Sequence, residues 1–179
     1  MNSPEKDKAF FEAGLQELEP YLLSKELYWP SSVHTTDFTQ LTLGALLLVR
    51  ARLKGWKSPG LTESAAQVEV IRLKWRSAWE AKAALEVRAR SQLWKKYLGE
   101  LRHAPVESAR KHPYEVRLRV MLSLLVAELS IQPDESLSAL DAKLRAIWRP
   151  GAFVWDSRLE WVFPQESFWF LYGMLGTQE

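Results

Sequence analysis

Hydrophobic positions recur with helical spacing along most of the chain. Phe10, Phe11, Gly14, Leu15, Leu18 and Leu22 keep to one face, the three-to-four spacing of an amphipathic helix. Ser3-Pro4 ahead of them is a cap residue followed by proline at the first helical position, so a helix is predicted over 4–24. The stretch "ELYWPSSVHTTD" reads as a loop. Asp37 followed by Gln40 resembles a capping box that opens a second helix over 38–54, ended by Gly55. Through "LTLGALLLV" this helix is apolar almost all round, which places it centrally.

After the turn "GWKSPG", residues 62–103 contain no proline and only Gly99 as a breaker. An unbroken helix of that length spans about 63 Å at 1.5 Å per residue. A compact domain of this size is only about 40 Å across. The helix therefore breaks, protrudes or packs on another subunit, and a long helix with an overhanging end is the preferred reading. Pro105 and Pro113 are expected to interrupt the chain, with a short helix or turn between them and a strongly apolar helix from 113 to about 130. "QPDES" restarts the pattern, with Leu137, Leu140, Leu144 and Ile147 on one stripe until "RPG" stops it.

The stretch 153–172 holds eight aromatic side chains in twenty positions. Apolar residues on odd positions from Phe153 to Phe163 would suit a hairpin. Ser157-x-x-Glu160 instead reads as the capping box of a short helical turn stopped at Pro164. From Pro164 a last helix is predicted, with Phe168, Leu171, Tyr172 and Leu175 on one face. Turn plus helix is the preferred reading.

Together these elements predict an all-α fold: a single-domain bundle of five or six helices spanning 1–179, with one very long helix at about 62–103 and an aromatic-rich C-terminal segment. Valine and isoleucine number only fourteen, which also favours helix over sheet.

Cysteine is absent, which excludes disulfides, thiolate zinc sites and a cysteine nucleophile. No apolar run approaches the roughly twenty residues of a membrane span, and the first residues carry no secretory signal pattern. A cytoplasmic protein without membrane contact is expected. Net charge is +2, but residues 41–129 hold seventeen basic and eight acidic side chains between acidic ends. Such a basic middle either meets an anionic partner or is neutralised by the ends folding over it.

On a helical wheel of the long helix, Ile71, Trp75, Trp79, Ala83, Val87, Leu93, Trp94, Tyr97, Leu98 and Leu101 fill one half. Lys74, Lys82, Arg88, Lys95, Lys96 and Arg102 lie mainly on the other. That basic face is the candidate surface for phosphates or nucleic acid. Its separation from the tryptophans equally fits cations that are merely solvated. Arg72, Glu86 and Arg90 fall within the apolar half, and Glu86 and Arg90 stand in the favourable i,i+4 order for pairing. They form either a structural ion pair or a polar pocket for an anionic or amphipathic ligand.

Glu100-x-x-His103 has the spacing of one di-iron helix, but three residues before His112 and His34 stand Ala109 and Ser31. No second copy exists, so neither metal nor cofactor is expected. Glycine-rich phosphate loops and a nucleophile elbow are missing too. The leading expectation is a non-enzymatic interaction or adaptor protein, binding a protein partner or a second copy of itself as a homodimer. Trp155, Trp161, Trp169 and Phe170 are the candidate interface aromatics. Nucleic-acid binding by the basic face is the alternative, and a small-ligand pocket around Glu86 and Arg90 the third reading.

Overall fold

The computed structural model describes residues 3–103, 105–129 and 135–176. The first helix, α1 (Pro4–Leu23), starts where Ser3 accepts the Lys6 backbone N–H. Tyr21, at its C-terminal end, donates to the Leu27 carbonyl at 3.1 Å and anchors the chain reversal. Two short strands follow, β1 (Trp29–Pro30) and β2 (Gln40–Leu41), paired antiparallel.

The second helix, α2 (Leu43–Gly55), begins five residues later than the pattern at 38 predicts. Thr42 is its cap, accepting the Ala45 N–H at 3.1 Å. Asp37 does not cap it, because its carboxylate is engaged by Arg52 at 2.5 Å. Arg52 projects from the last turn of α2 and is fully buried, so it needs acceptors on more than one side. Nearly every side chain of α2 is buried, and the helix packs on α1 and on the helices that follow, as its apolar circumference predicts. At its end, Gly55 is required by proximity: a Cβ there would stand 2.6 Å from Leu159. The left-handed residues of the turn are Lys57 (φ 53°) and Gly60 (φ 80°).

Residues 61–103 form two helices, α3 (Leu61–Lys74) and α4 (Arg76–His103, 28 residues). The break falls at Trp75, whose backbone opens to φ −116° and ψ 38°. Trp75 itself still donates its N–H to the Ile71 carbonyl and accepts the Trp79 N–H, both at 2.9 Å. The length conflict is thus resolved by a kink that leaves α3 against α1 and α4 against the next helix.

That helix, α5 (Pro105–Glu128), runs straight through Pro113. Proline was expected to interrupt it, but Val116, Val120, Met121, Leu122 and Leu125, all buried in the turns that follow, hold the helix together. The predicted end at Ser130 and residues 132–134 of the restart "QPDES" lie outside the described residues. The sixth helix, α6 (Glu135–Arg145), buries Leu137, Leu140 and Leu144 of the predicted stripe, while Ile147 lies past its end and is half-buried.

The C-terminal region departs most from expectation. "RPG" lies within a strand, β3 (Trp148–Phe153), paired antiparallel with β4 (Tyr172–Leu175). Between them, Ser157–Val162 forms a 3₁₀ helix capped by Asp156, and Trp169–Leu171 a shorter one. No helix starts at Pro164. Leu159, Phe163, Phe170 and Leu171 are all buried and close the bundle end instead. No helix among the described residues is long and apolar enough to cross a membrane.

Candidate functional site

The three charges in the apolar half of the wheel do not form one site. Glu86 and Arg90 lie buried together near the start of α2. One Glu86 oxygen accepts Arg90 at 2.5 Å, and the other accepts the Gly44 backbone N–H at 2.8 Å. Arg90 donates onward to the Thr42 hydroxyl at 2.9 Å. The carboxylate thus sits at the positive end of a helix and takes up one of its orphan donors. A Cβ on Gly44 would stand 2.5 Å from the Glu86 oxygen, so glycine is what admits this capping.

Arg72 belongs elsewhere, to a cluster spanning α2, α3, α4 and α5. It meets Glu128 at 2.7 Å and Glu69 at 3.2 Å. Arg50 bridges the same two carboxylates at 2.9 Å and 3.9 Å. The Trp79 indole N–H adds a donor to Glu128 at 3.2 Å.

The cations named for an anionic partner divide. Arg88, Lys95 and Lys96 are exposed on α4. Lys74 is exposed but pairs with Glu19 at 2.9 Å, the acidic α1 folding over the basic middle. Lys82 is buried rather than solvated: its ammonium donates to the Glu26 carbonyl and to Ser24 at 3.3 Å, and lies 4.6 Å from the Tyr21 ring centroid. Burial lowers its pKa. The Arg102 side chain lies outside those described.

The candidate interface aromatics divide as well. Phe170 is fully buried, with Arg119 stacked 4.7 Å from its centroid. Trp169 is half-buried under Arg145 at 3.8 Å. Trp155 is half-buried and donates to the Pro113 carbonyl at 2.7 Å. Trp161 alone of the four is mainly exposed, at 54%.

Trp161 stands beside a groove of about 590 Å³ between α2, α3, α5 and the 3₁₀ helix Ser157–Val162. Sequence reasoning missed this groove, because its walls come from four segments far apart in the chain. The presence of Trp161 in a strongly aromatic stretch was the one available signal. It missed Arg52 too, which donates two hydrogen bonds to Asp7, at 2.7 and 2.8 Å, while also holding Asp37. Burial raises the Asp7 pKa even against the Arg52 charge. His112 is buried as well, its Nδ1 3.0 Å from the Tyr97 hydroxyl, and burial pushes its pKa down to about 4.

Glu100 and His103 are both exposed, and no group of three or more potential metal ligands occurs among the described residues. No known protein family, no curated protein and no solved structure matches the chain.

Proposed function

We propose that the protein is a cytoplasmic, non-enzymatic interaction protein that self-associates through the outer face of α3. The observation that carries this reading is the pair Val70 and Leu73, which leave 65% and 69% of their surface in water on one side of α3. Ala66 is exposed one turn before Val70, so the three follow the i, i+4, i+7 spacing of a helix-packing stripe. Charge argues for a second copy as the occupant. Glu63 lies exposed in the first turn, and Arg76 lies exposed just past the C-terminal end. Two α3 helices packed antiparallel set Glu63 of each copy against Arg76 of the other. Arg76 meanwhile holds Glu80 at 2.9 Å on the surface, a pair worth about 0.3–0.5 kcal/mol and readily exchanged.

Light scattering on the purified chain tests it. A mass of twice 20.7 kDa is expected, returning to one copy in a Val70→Lys, Leu73→Glu variant. A wild type that stays monomeric at high concentration rules the reading out.

A second reading rests on Arg88, Lys95 and Lys96, exposed on α4 and without an ion pair among the described residues. It makes the protein a nucleic-acid binder. Late, salt-steep elution from heparin, lost on replacing these three by glutamine, supports it; elution near the void removes it.

A further inference from the structure

The groove beside Trp161 has a chemistry of its own. Leu47 and Ala51 of α2, Leu61 and Ala65 of α3, Leu124 of α5 and Val162 make its apolar walls. Alanine at 51 and 65 keeps it open, since larger side chains there would fill it. Its volume of about 590 Å³ falls inside the roughly 300–1,000 Å³ of small-molecule sites.

Trp161 is exposed yet held. Its indole N–H donates to the Gly55 carbonyl at 3.2 Å, which fixes the ring at the edge of the groove. That anchor exists because Gly55 lets the 3₁₀ helix approach so closely. A large aromatic face fixed in water over an apolar trough is a preorganised contact surface, since binding there costs little ordering.

The charges at the rim do not cancel. Arg50 and Glu128 line the groove and pair at 3.9 Å, and Glu69 and Arg72, outside it, complete their network at 2.7–3.2 Å. Lys54 is the remaining charge on the rim. It is exposed, and its ammonium lies 5.7 Å from the Trp161 ring centroid with no carboxylate partner among the described residues. One unneutralised cation therefore stands beside a groove with apolar walls.

We propose that this groove binds a small amphipathic anion, with its apolar body between α3 and α5 and its anionic head at Lys54. A neutral hydrocarbon would leave Lys54 unused, and an organic cation would be repelled by it. The site is separate from the outer face of α3, because Leu61 and Ala65 line the groove while Val70 and Leu73 do not.

Calorimetric titration with decanoate, against decanol as the neutral counterpart, tests the proposal. Decanoate is expected to bind once per chain, and decanol up to about fivefold more weakly, the worth of one exposed ion pair. Lys54→Gln should weaken decanoate by up to about fivefold while leaving decanol unchanged. Ala65→Trp, filling the groove, should abolish both. Amide chemical-shift changes in the wild type should centre on Ala51, Lys54 and Ala65, a readout independent of how well any variant folds. Absence of binding, shifts centred elsewhere, or equal affinity for decanol and decanoate overturns it.

Discussion

His112 shows how burial sets chemistry at a single residue. Its ring lies between Tyr97, stacked at 6.0 Å, and Trp148 at 5.1 Å, far from water. Desolvation lowers its pKa from 6.5 to about 4, against a weaker opposing influence of the Phe170 backbone. A depressed folded-state pKa means that the unfolded chain takes up the proton first as pH falls. The stability contribution is full above pH 6.5 and is lost as the pH falls toward 4, by about 3 kcal/mol in all. Urea midpoints should therefore drop between pH 7 and pH 4.5 in the wild type. In His112→Phe, which keeps the stack but cannot titrate, that share of the drop should vanish.

Arg52 is a second buried charge, with its guanidinium shared between Asp7 and Asp37. Arg52→Met strands both carboxylates and should cost about 3–5 kcal/mol by denaturant unfolding. Adding Asp7→Leu should recover part of that loss, because an apolar pair no longer buries an unmatched charge. If the single and double variants proved equally unstable, packing rather than charge would be the role of Arg52.

Between elements, polar clamps fix angles that apolar faces leave loose. Arg119 of α5 holds Asp141 of α6 through two bonds at 2.7 and 2.8 Å, and reaches Ser123 at 2.7 Å. The leucine stripe of α6 supplies burial without direction, and this fork supplies direction. Asp141→Asn should destabilise by about 2 kcal/mol, from the loss of a charge-assisted pair. Amide exchange should speed up in α6 before it does in α2, since only α6 loses its clamp. The same scale explains Trp75. Its break redirects the chain from the side of α1 to the side of α5, and Lys82 then reaches back to the loop after α1.

At the scale of the whole molecule, the C-terminal segment closes the core. Leu159, Phe163, Phe170 and Leu171 are each at most 2% exposed, and each such burial is worth about 1.5–3 kcal/mol. Their sum is comparable with the roughly 5–15 kcal/mol by which domains of this kind are stable. A chain ended after Ile147 should therefore lose its cooperative thermal transition and bind a hydrophobic dye. Retention of a sharp melt would show that the segment is an appendage. Of its eight aromatics, only Trp161 turns mainly outward, so most of the excess that marks 153–172 serves closure.

Periodicity by itself determined the all-α architecture, the start of α1 at Ser3-Pro4, the central place of α2 and the stripe of α6. Each of these depends on residues within a turn or two of one another, and three-to-four spacing records that directly. Tertiary structure alone decided the start of α2 at Thr42, the kink at Trp75, the passage of α5 through Pro113 and the pairing of β3 with β4. Each of these hangs on a partner far along the chain: Arg52 for Asp37, α1 and α5 for the two halves of 61–103, and Trp148–Phe153 for Tyr172–Leu175. The candidate site follows the same division. That Glu86 and Arg90 could pair was legible from their spacing, but that they cap α2 was not, because Thr42 and Gly44 come to them only through packing. Lys82 reads as a surface cation by its place on the wheel. It is buried because a carbonyl fifty-six residues away accepts its charge.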